Sequence, residues 1–342
     1  MAKPRAVWTA LAIVYVVWGS TYLGIRYFVE TVPPFLGAGL RYALAGLILG
    51  ALLGGTRGFG RLRVPMREVA ASGLVGLLLL VGGNGLVMVA EQSIPSGLAA
   101  LCVAAVPLFV VVLRLATGDR PPGATLLGVV VGFVGIATLV QPGGSATGGV
   151  VAVLCAALSW SIGSFVSGGL RLPADPLVGT AYEMVIGGLA LLVVGGARGE
   201  AASFSLGDVS TASWIAFGYL VVFGSLVAFT AYVWLLQSGA PISTVSTYAY
   251  VNPAVAVLLG TVTGEKVTGR ILVGGLLVIV AVAVVVTTEG RARRAAGPDR
   301  APAQVEPAPA LGVETAEPAG LPGQESQYEP TPRAGGRYRD PA

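Results

Sequence analysis

Histidine is absent from all 342 residues. That removes the usual general base, the Ser-His-Asp triad and every imidazole metal site. Charge is scarce too: Asp, Glu, Lys and Arg make up 11% of the chain, against about 25% in a soluble globular protein. Such a chain lacks the polar surface to face water all round. The two cysteines, Cys102 and Cys155, lie within apolar runs and form no C-x-x-C pair. They read as small buried hydrophobes. No G-x-x-x-x-G-K-[ST] occurs, so there is no P-loop to bind ATP. No metal or organic cofactor is expected.

What is abundant is apolar sequence, 54% of the residues, gathered into ten runs. They cover about 8–24, 34–54, 69–90, 95–115, 125–140, 148–170, 176–194, 214–237, 241–260 and 267–287. Roughly 20 apolar residues make one helical crossing of a bilayer, and only the fifth run is short of that. Backbone polar groups must be satisfied inside lipid, which makes helices the default. The first run follows Met1-Ala-Lys-Pro-Arg without a small-x-small cleavage site, so it reads as a retained crossing rather than a signal peptide. From residue 290 the composition turns to Pro, Ala, Gly, Glu and Arg. That tail cannot bury enough apolar surface to fold alone and is expected to be disordered.

The net charge of +4 sits outside the apolar runs, which makes it a topology signal and not a nucleic-acid footprint. With a cytoplasmic N-terminus, Lys3, Arg5, Arg57, Arg61, Arg63, Arg67, Arg114, Arg120, Arg171, Arg291, Arg293 and Arg294 flank the inner side. Only Arg26, Arg198, Lys266 and Arg270 flank the outer one. Both termini are therefore expected to be cytoplasmic, which requires an even number of crossings.

The sequence repeats itself. An offset of 146 places Pro95 on Pro241, Pro107 on Pro253, and Thr117-Gly118-Asp119-Arg120 on Thr263-Gly264-Glu265-Lys266. Earlier in each half Trp18 matches Trp160, Pro34 matches Pro176, Arg41 falls on Glu183, and Gly46 matches Gly188. Each half holds five helices. Five is odd, so the second half enters the membrane from the opposite side. The expected fold is an all-α integral membrane protein with ten transmembrane helices as two inverted five-helix repeats, the architecture of many secondary transporters. The expected division is 1–142 for the first repeat, 143–289 for the second and 290–342 for a disordered cytoplasmic tail.

Two five-helix halves, Trp18-Gly-Ser-Thr-Tyr in the first helix, a proline inside helices four and nine, and Gly-Asp or Gly-Glu after them resemble the EamA family. That family belongs to the drug/metabolite transporter superfamily. The run Ala90-Glu-Gln-Ser-Ile-Pro-Ser-Gly-Leu-Ala-Ala-Leu is similar to its drug/metabolite exporter branch. The resemblance spans about residues 6–288. It implies a central cavity partly lined by helices four and nine, and export of small organic molecules.

Several residues are candidates for the work. Arg41 and Glu183 are the charges set deepest in apolar helices, each seven residues from a helix start, about 10 Å along the axis. Intramembrane charges usually face a cavity or a partner, so these two suit substrate recognition, ion coupling or a mutual ion pair. Glu91 suits a gate, a proton-coupling carboxyl or a helix-end hydrogen-bond network. Asp119 and Glu265 suit helix capping. Pro107 and Pro253 each remove a helix hydrogen bond and shape a kink. The residues before Pro253 (Thr244, Ser246, Tyr248, Tyr250 and Asn252) are polar or aromatic where Cys102 to Val106 is apolar. Helix nine should therefore supply more hydrogen bonds to a substrate. Trp18, Tyr22, Trp160 and Tyr182 offer aromatic walls and Asn84 an amide. The Gly46-x-x-x-Gly50-x-x-x-Gly54 series permits close helix approach and suggests a homodimer.

The expected function is secondary active export of small metabolites or drugs across the cytoplasmic membrane by alternating access, with a proton or another ion as coupling partner. An uptake permease of the same fold, or a non-transporting membrane enzyme or lipid-handling protein, are the alternatives. The expected partners are a small-molecule substrate and membrane lipid, with no nucleic acid.

Overall fold

The computed structural model describes residues 4–140, 146–202, 204–238 and 242–296. The expected boundary at 142 and the expected tail beyond 296 lie outside them. Among the described residues all regular structure is helical. Ten helices follow in order: α1 Pro4–Phe28, α2 Pro34–Arg57, α3 Met66–Glu91, α4 Ser96–Ala116, α5 Gly123–Leu139, α6 Thr147–Ser167, α7 Pro176–Ala197, α8 Thr211–Leu235, α9 Tyr248–Val262 and α10 Gly269–Ala296. Eight are long and apolar enough to cross a membrane. The shorter α5 and α9 are equally apolar, and a turn of helix at Ile242–Val245 extends the ninth crossing. The last helix continues past residue 290, where the composition begins to change, to Ala296. Large apolar side chains such as Leu127, Val193 and Leu276 remain exposed on the rim, which is the surface a bilayer would cover.

Local chemistry sets the helix ends. Pro34 and Pro176 stand at first helical positions, where a missing N–H costs nothing. Asp175 caps α7 by accepting from Leu177 N at 3.1 Å. The repeated Thr-Gly-acid turn closes α4 and α9 alike. Gly118 and Gly264 take φ 87° and 92°, the left-handed region that glycine enters without a Cβ penalty. The next residue bonds back to the helix, Asp119 N to Arg114 O at 3.0 Å and Glu265 N to Gly260 O at 2.8 Å.

The inversion is visible in reciprocal packing. Helices α2 and α7 cross closely at paired glycines. A Cβ on Gly46 would lie 2.8 Å from Val185 N, and one on Gly188 would lie 2.9 Å from the Ala43 Cα. Ala43 and Val185 occupy corresponding positions of the two halves, as the glycines do. Helices α5 and α10 repeat the device. Gly128 meets Ala281, Val284 and Val285, while Gly274 meets Gly135, Thr138 and Leu139, which are the same positions one repeat earlier. The charges agree. Arg57 at the end of α2 pairs with Asp175 at the start of α7, 2.9 Å. Glu200, past the end of α7, accepts from Leu36 N at the start of α2, 2.8 Å. Equivalent helices therefore run antiparallel.

We call the end where α1 begins the near end and the opposite one the far end. At the near end Arg114 of α4 bonds Asp119 (Nε–Oδ2, 2.7 Å) and Glu289 of α10, which also accepts from Thr125 Oγ1 of α5 at 3.1 Å. At the far end the Glu265 carboxylate accepts from Ser96 N at 2.9 Å and Gly97 N at 3.2 Å. Glu265 is thus a cap, as expected, but for α4 and not for the helix that follows it.

The two prolines do not act alike. In α4 the helix breaks at Ala104-Ala105 and restarts at Val106, immediately before Pro107. In the ninth crossing the break falls at Ser246-Thr247, a turn earlier than the corresponding place, and Pro253 stands inside continuous helix.

Candidate functional site

Both halves enclose a central cavity of about 150 Å³. Trp18, Tyr22, Arg41 and Asn84 come to it from the first half with Pro107. Trp160, Tyr248, Asn252 and Pro253 come from the second. An apolar cavity of about this size takes up a benzene molecule. Helix α4 presents Ala100, Val103, Ala104 and Val106, while α9 presents Tyr248 and Asn252. The polar asymmetry expected between the two copies is therefore present in what each contributes to the cavity wall.

Aromatic rings form one side. The Trp18 ring lies 5.3 Å from Phe229, 5.1 Å from Tyr232 and 5.4 Å from Tyr248, centroid to centroid. Its indole N–H donates to Gly224 O at 3.3 Å. Beyond this cluster Tyr15 and Thr247 are hydrogen-bonded through their hydroxyls. They border a second cavity of about 300 Å³ at the near end, with Trp8, Thr244, Thr287, Gly290 and Arg291. Trp18 and Tyr248 line one cavity while Tyr15 and Thr247, in the same two crossings, line the other.

Among the described residues Arg41 is the one charged residue on the central cavity's wall. It is 3% exposed. Its Nε donates to Ser225 Oγ at 3.0 Å, its guanidinium lies 4.6 Å over the Tyr42 ring, and Nη1 has no hydrogen-bond partner among the described residues. Asn252 Oδ1 is likewise buried without a partner. The mutual ion pair expected as one option for Arg41 and Glu183 is absent from the described contacts. Neither Glu183 nor Tyr182 lines the cavity. Helix α7 turns that part of its surface to α3, where the Glu183 backbone carbonyl packs over Gly76. Tyr182 instead donates to Leu62 O at 2.6 Å.

Glu91 lies one turn along α3 from Val87 of the cavity wall, toward the far end. It is fully buried, and neither carboxyl oxygen has a hydrogen-bond partner among the described residues. The helix-end network expected as one option forms through the backbone instead, as Arg26 donates to Glu91 O at 3.2 Å. Arg26, Tyr22 and Glu265 are the titratable or charged groups that act on this carboxyl. The Ser96 hydroxyl is also buried and unpartnered.

One feature of the site lies outside any residue pattern. The third and eighth crossings each widen into π-type turns, at Leu77–Gly85 and Leu220–Val227. Such segments are rare and concentrate at functional sites. They bring Gly83, Asn84 and Gly224 to the cavity and Ser225 to Arg41. The glycines of 82–85 mark the first. Gly224 falls on Gly82 in the repeat, a signal that would have located the second.

A ten-helix membrane bundle of two antiparallel halves around a central cavity lined by aromatic and polar side chains is the architecture of a membrane transport protein. The chain belongs to the EamA-like transporter family, whose sequence signature matches it twice, at residues 6–141 and 147–287. It is 39% identical over 282 residues to the uncharacterized inner membrane transporter YedA of Escherichia coli, covering 81% of this chain and 89% of that one. It is 28% identical over 298 residues to a WAT1-related chloroplastic protein of Arabidopsis thaliana, covering 83% and 70%. A solved crystal structure superposes with a TM-score of 0.58 at 21% identity, over 85% of this chain and 99% of that one. That last likeness concerns the fold alone. The protein is a multi-pass membrane transporter, and its family points away from an enzyme.

Proposed function

We propose that the protein is a secondary active exporter of small organic solutes, working by alternating access around the central cavity. The observation that carries this is the cavity's composition. It lies between the two antiparallel halves and is walled by residues of both. Rocking one half against the other would open it to one side and then the other. Trp18, Tyr22, Asn84, Trp160, Tyr248 and Asn252 would contact the solute, and Pro107 and Pro253 would shape the helices that move. No P-loop is present, so the driving energy would come from an ion or solute gradient, with Glu91 as the coupling carboxyl. The basic flanks favour a near end in the cytoplasm. The near-end cavity would then be the entry vestibule, and solute would leave past Glu91 and Ser96.

Purified protein in proteoliposomes, loaded with a panel of small solutes, tests this. The expected result is solute release dependent on an imposed gradient, faster for protein whose near end faces the lumen. Uptake favoured in that orientation would replace export with an uptake permease. Absence of any flux under any gradient would end the transporter mechanism proposed here.

A further inference from the structure

We propose that the central cavity is built for a small organic monoanion with an apolar, ring-sized body, and that Arg41 is its counter-charge. This rests on the reading of that cavity as the solute site. Among the described residues no Asp or Glu lines the cavity, and Arg41 is its sole charged wall residue. Among the described residues no carboxylate forms an ion pair with it. A guanidinium buried in a membrane span without a counter-charge carries a large desolvation cost. An anionic occupant offsets that cost, whereas a cationic one adds to it.

The local geometry holds Arg41 in readiness. Ser225 on the π-type turn fixes Nε, and the Tyr42 ring supports the guanidinium face. Nη1 is left as a buried donor without a partner. A single guanidinium pairs well with one carboxylate, and nothing on the wall would neutralise a second negative charge. Elsewhere on the wall Trp18, Tyr22, Phe229, Trp160 and Tyr248 supply rings, most other side chains are aliphatic, and Thr21 and Asn84 are neutral polar groups. These suit a ring or branched chain. Asn252, whose amide oxygen is buried without a hydrogen-bond partner among the described residues, adds a further neutral polar group. A cavity of about 150 Å³ limits the body to roughly one six-membered ring.

Three probes of one shape and different charge decide the matter: benzoate, benzyl alcohol and benzylamine. Each is titrated into the full-length protein in lipid nanodiscs, with tryptophan fluorescence as readout, since Trp18 and Trp160 line the cavity. Benzoate is expected to bind about tenfold or more tighter than the other two, and Arg41→Gln is expected to abolish that preference. Equal or tighter binding of benzylamine or benzyl alcohol overturns the proposal, as does absent benzoate binding or an unchanged preference in Arg41→Gln. If Arg41→Gln does not fold, the comparison of the three probes on the unsubstituted protein decides alone. Efflux of benzoate from proteoliposomes is read separately. Selective binding without flux would fail the transporter mechanism and leave the anion site. Flux with no preference for the anion would do the reverse.

Discussion

Glu91 and Arg41 show what a single side chain can mean in a membrane. Both are buried, and both have polar atoms without a hydrogen-bond partner among the described residues. A charged carboxylate buried at Glu91 with no hydrogen-bond partner among the described residues carries a cost that taking up a proton removes. Arg26 on α1 and Glu265 beyond α9 are the charges near it, with the Tyr22 hydroxyl of α1. If Glu91 couples transport to protons, Glu91→Gln should abolish solute movement driven by a pH gradient while leaving solute-for-solute exchange intact. Gln keeps the shape and cannot release a proton. Flux that still follows the pH gradient in Glu91→Gln would remove Glu91 from the coupling role. At this scale the sequence was legible where the repeat marked a residue, as with Trp18 and Trp160. It misled at Tyr182 and Glu183. The match of Glu183 to Arg41 fixed a position along α7 but not which neighbour that face would meet. Tyr42 and Phe229 went unnoticed, because an aromatic in an apolar run looks the same facing a cavity or lipid.

Helix pairs are the next scale, and here the glycines decide. Gly46 and Gly188 let α2 and α7 touch backbone to backbone, while Gly50, one turn along α2, has nothing within 4 Å of a would-be Cβ. The regular G-x-x-x-G series in the sequence therefore contains two kinds of glycine that spacing alone could not separate. Gly188→Val should force the crossing apart, at a cost of roughly 1–3 kcal/mol, seen as a lower thermal midpoint of the purified protein. Gly50→Val should leave that midpoint unchanged in the monomer. Equal effects of the two substitutions would show that the α2–α7 contact is not the constraint. Should Gly50→Val instead lower the oligomer fraction in solution, the open face of α2 would be the surface of the proposed homodimer. The π-type turns were readable only as an excess of glycine. Their wider backbone comes from how α3 and α8 pack against neighbouring helices, as where Ser159 Oγ donates to Leu78 O at 2.8 Å.

The whole molecule is tied at both ends, and alternating access requires those ties to open in turn. The near end holds α4, α5 and α10 together through Arg114, Thr125 and Glu289. The far end holds α4 to the turn after α9 through Glu265 in its two bonds to Ser96 and Gly97. Charge-assisted bonds of this kind contribute about 1.5–3 kcal/mol each, enough to bias a two-state equilibrium strongly. Glu265→Ala should therefore shift the protein toward a state open at the far end. Ser96 is fully buried and provides the reporter. In a background with Cys102→Ala and Cys155→Ala, Ser96→Cys should react slowly with a membrane-impermeant maleimide added outside intact cells. Adding Glu265→Ala should raise that rate severalfold. An unchanged rate would mean that the Glu265 bonds do not hold the far end shut. Labelling that occurs only from the cytoplasmic face would reverse the orientation inferred from the basic flanks. The same measurement thus tests the latch and the topology, because Ser96 reports on the far end whichever way that end faces.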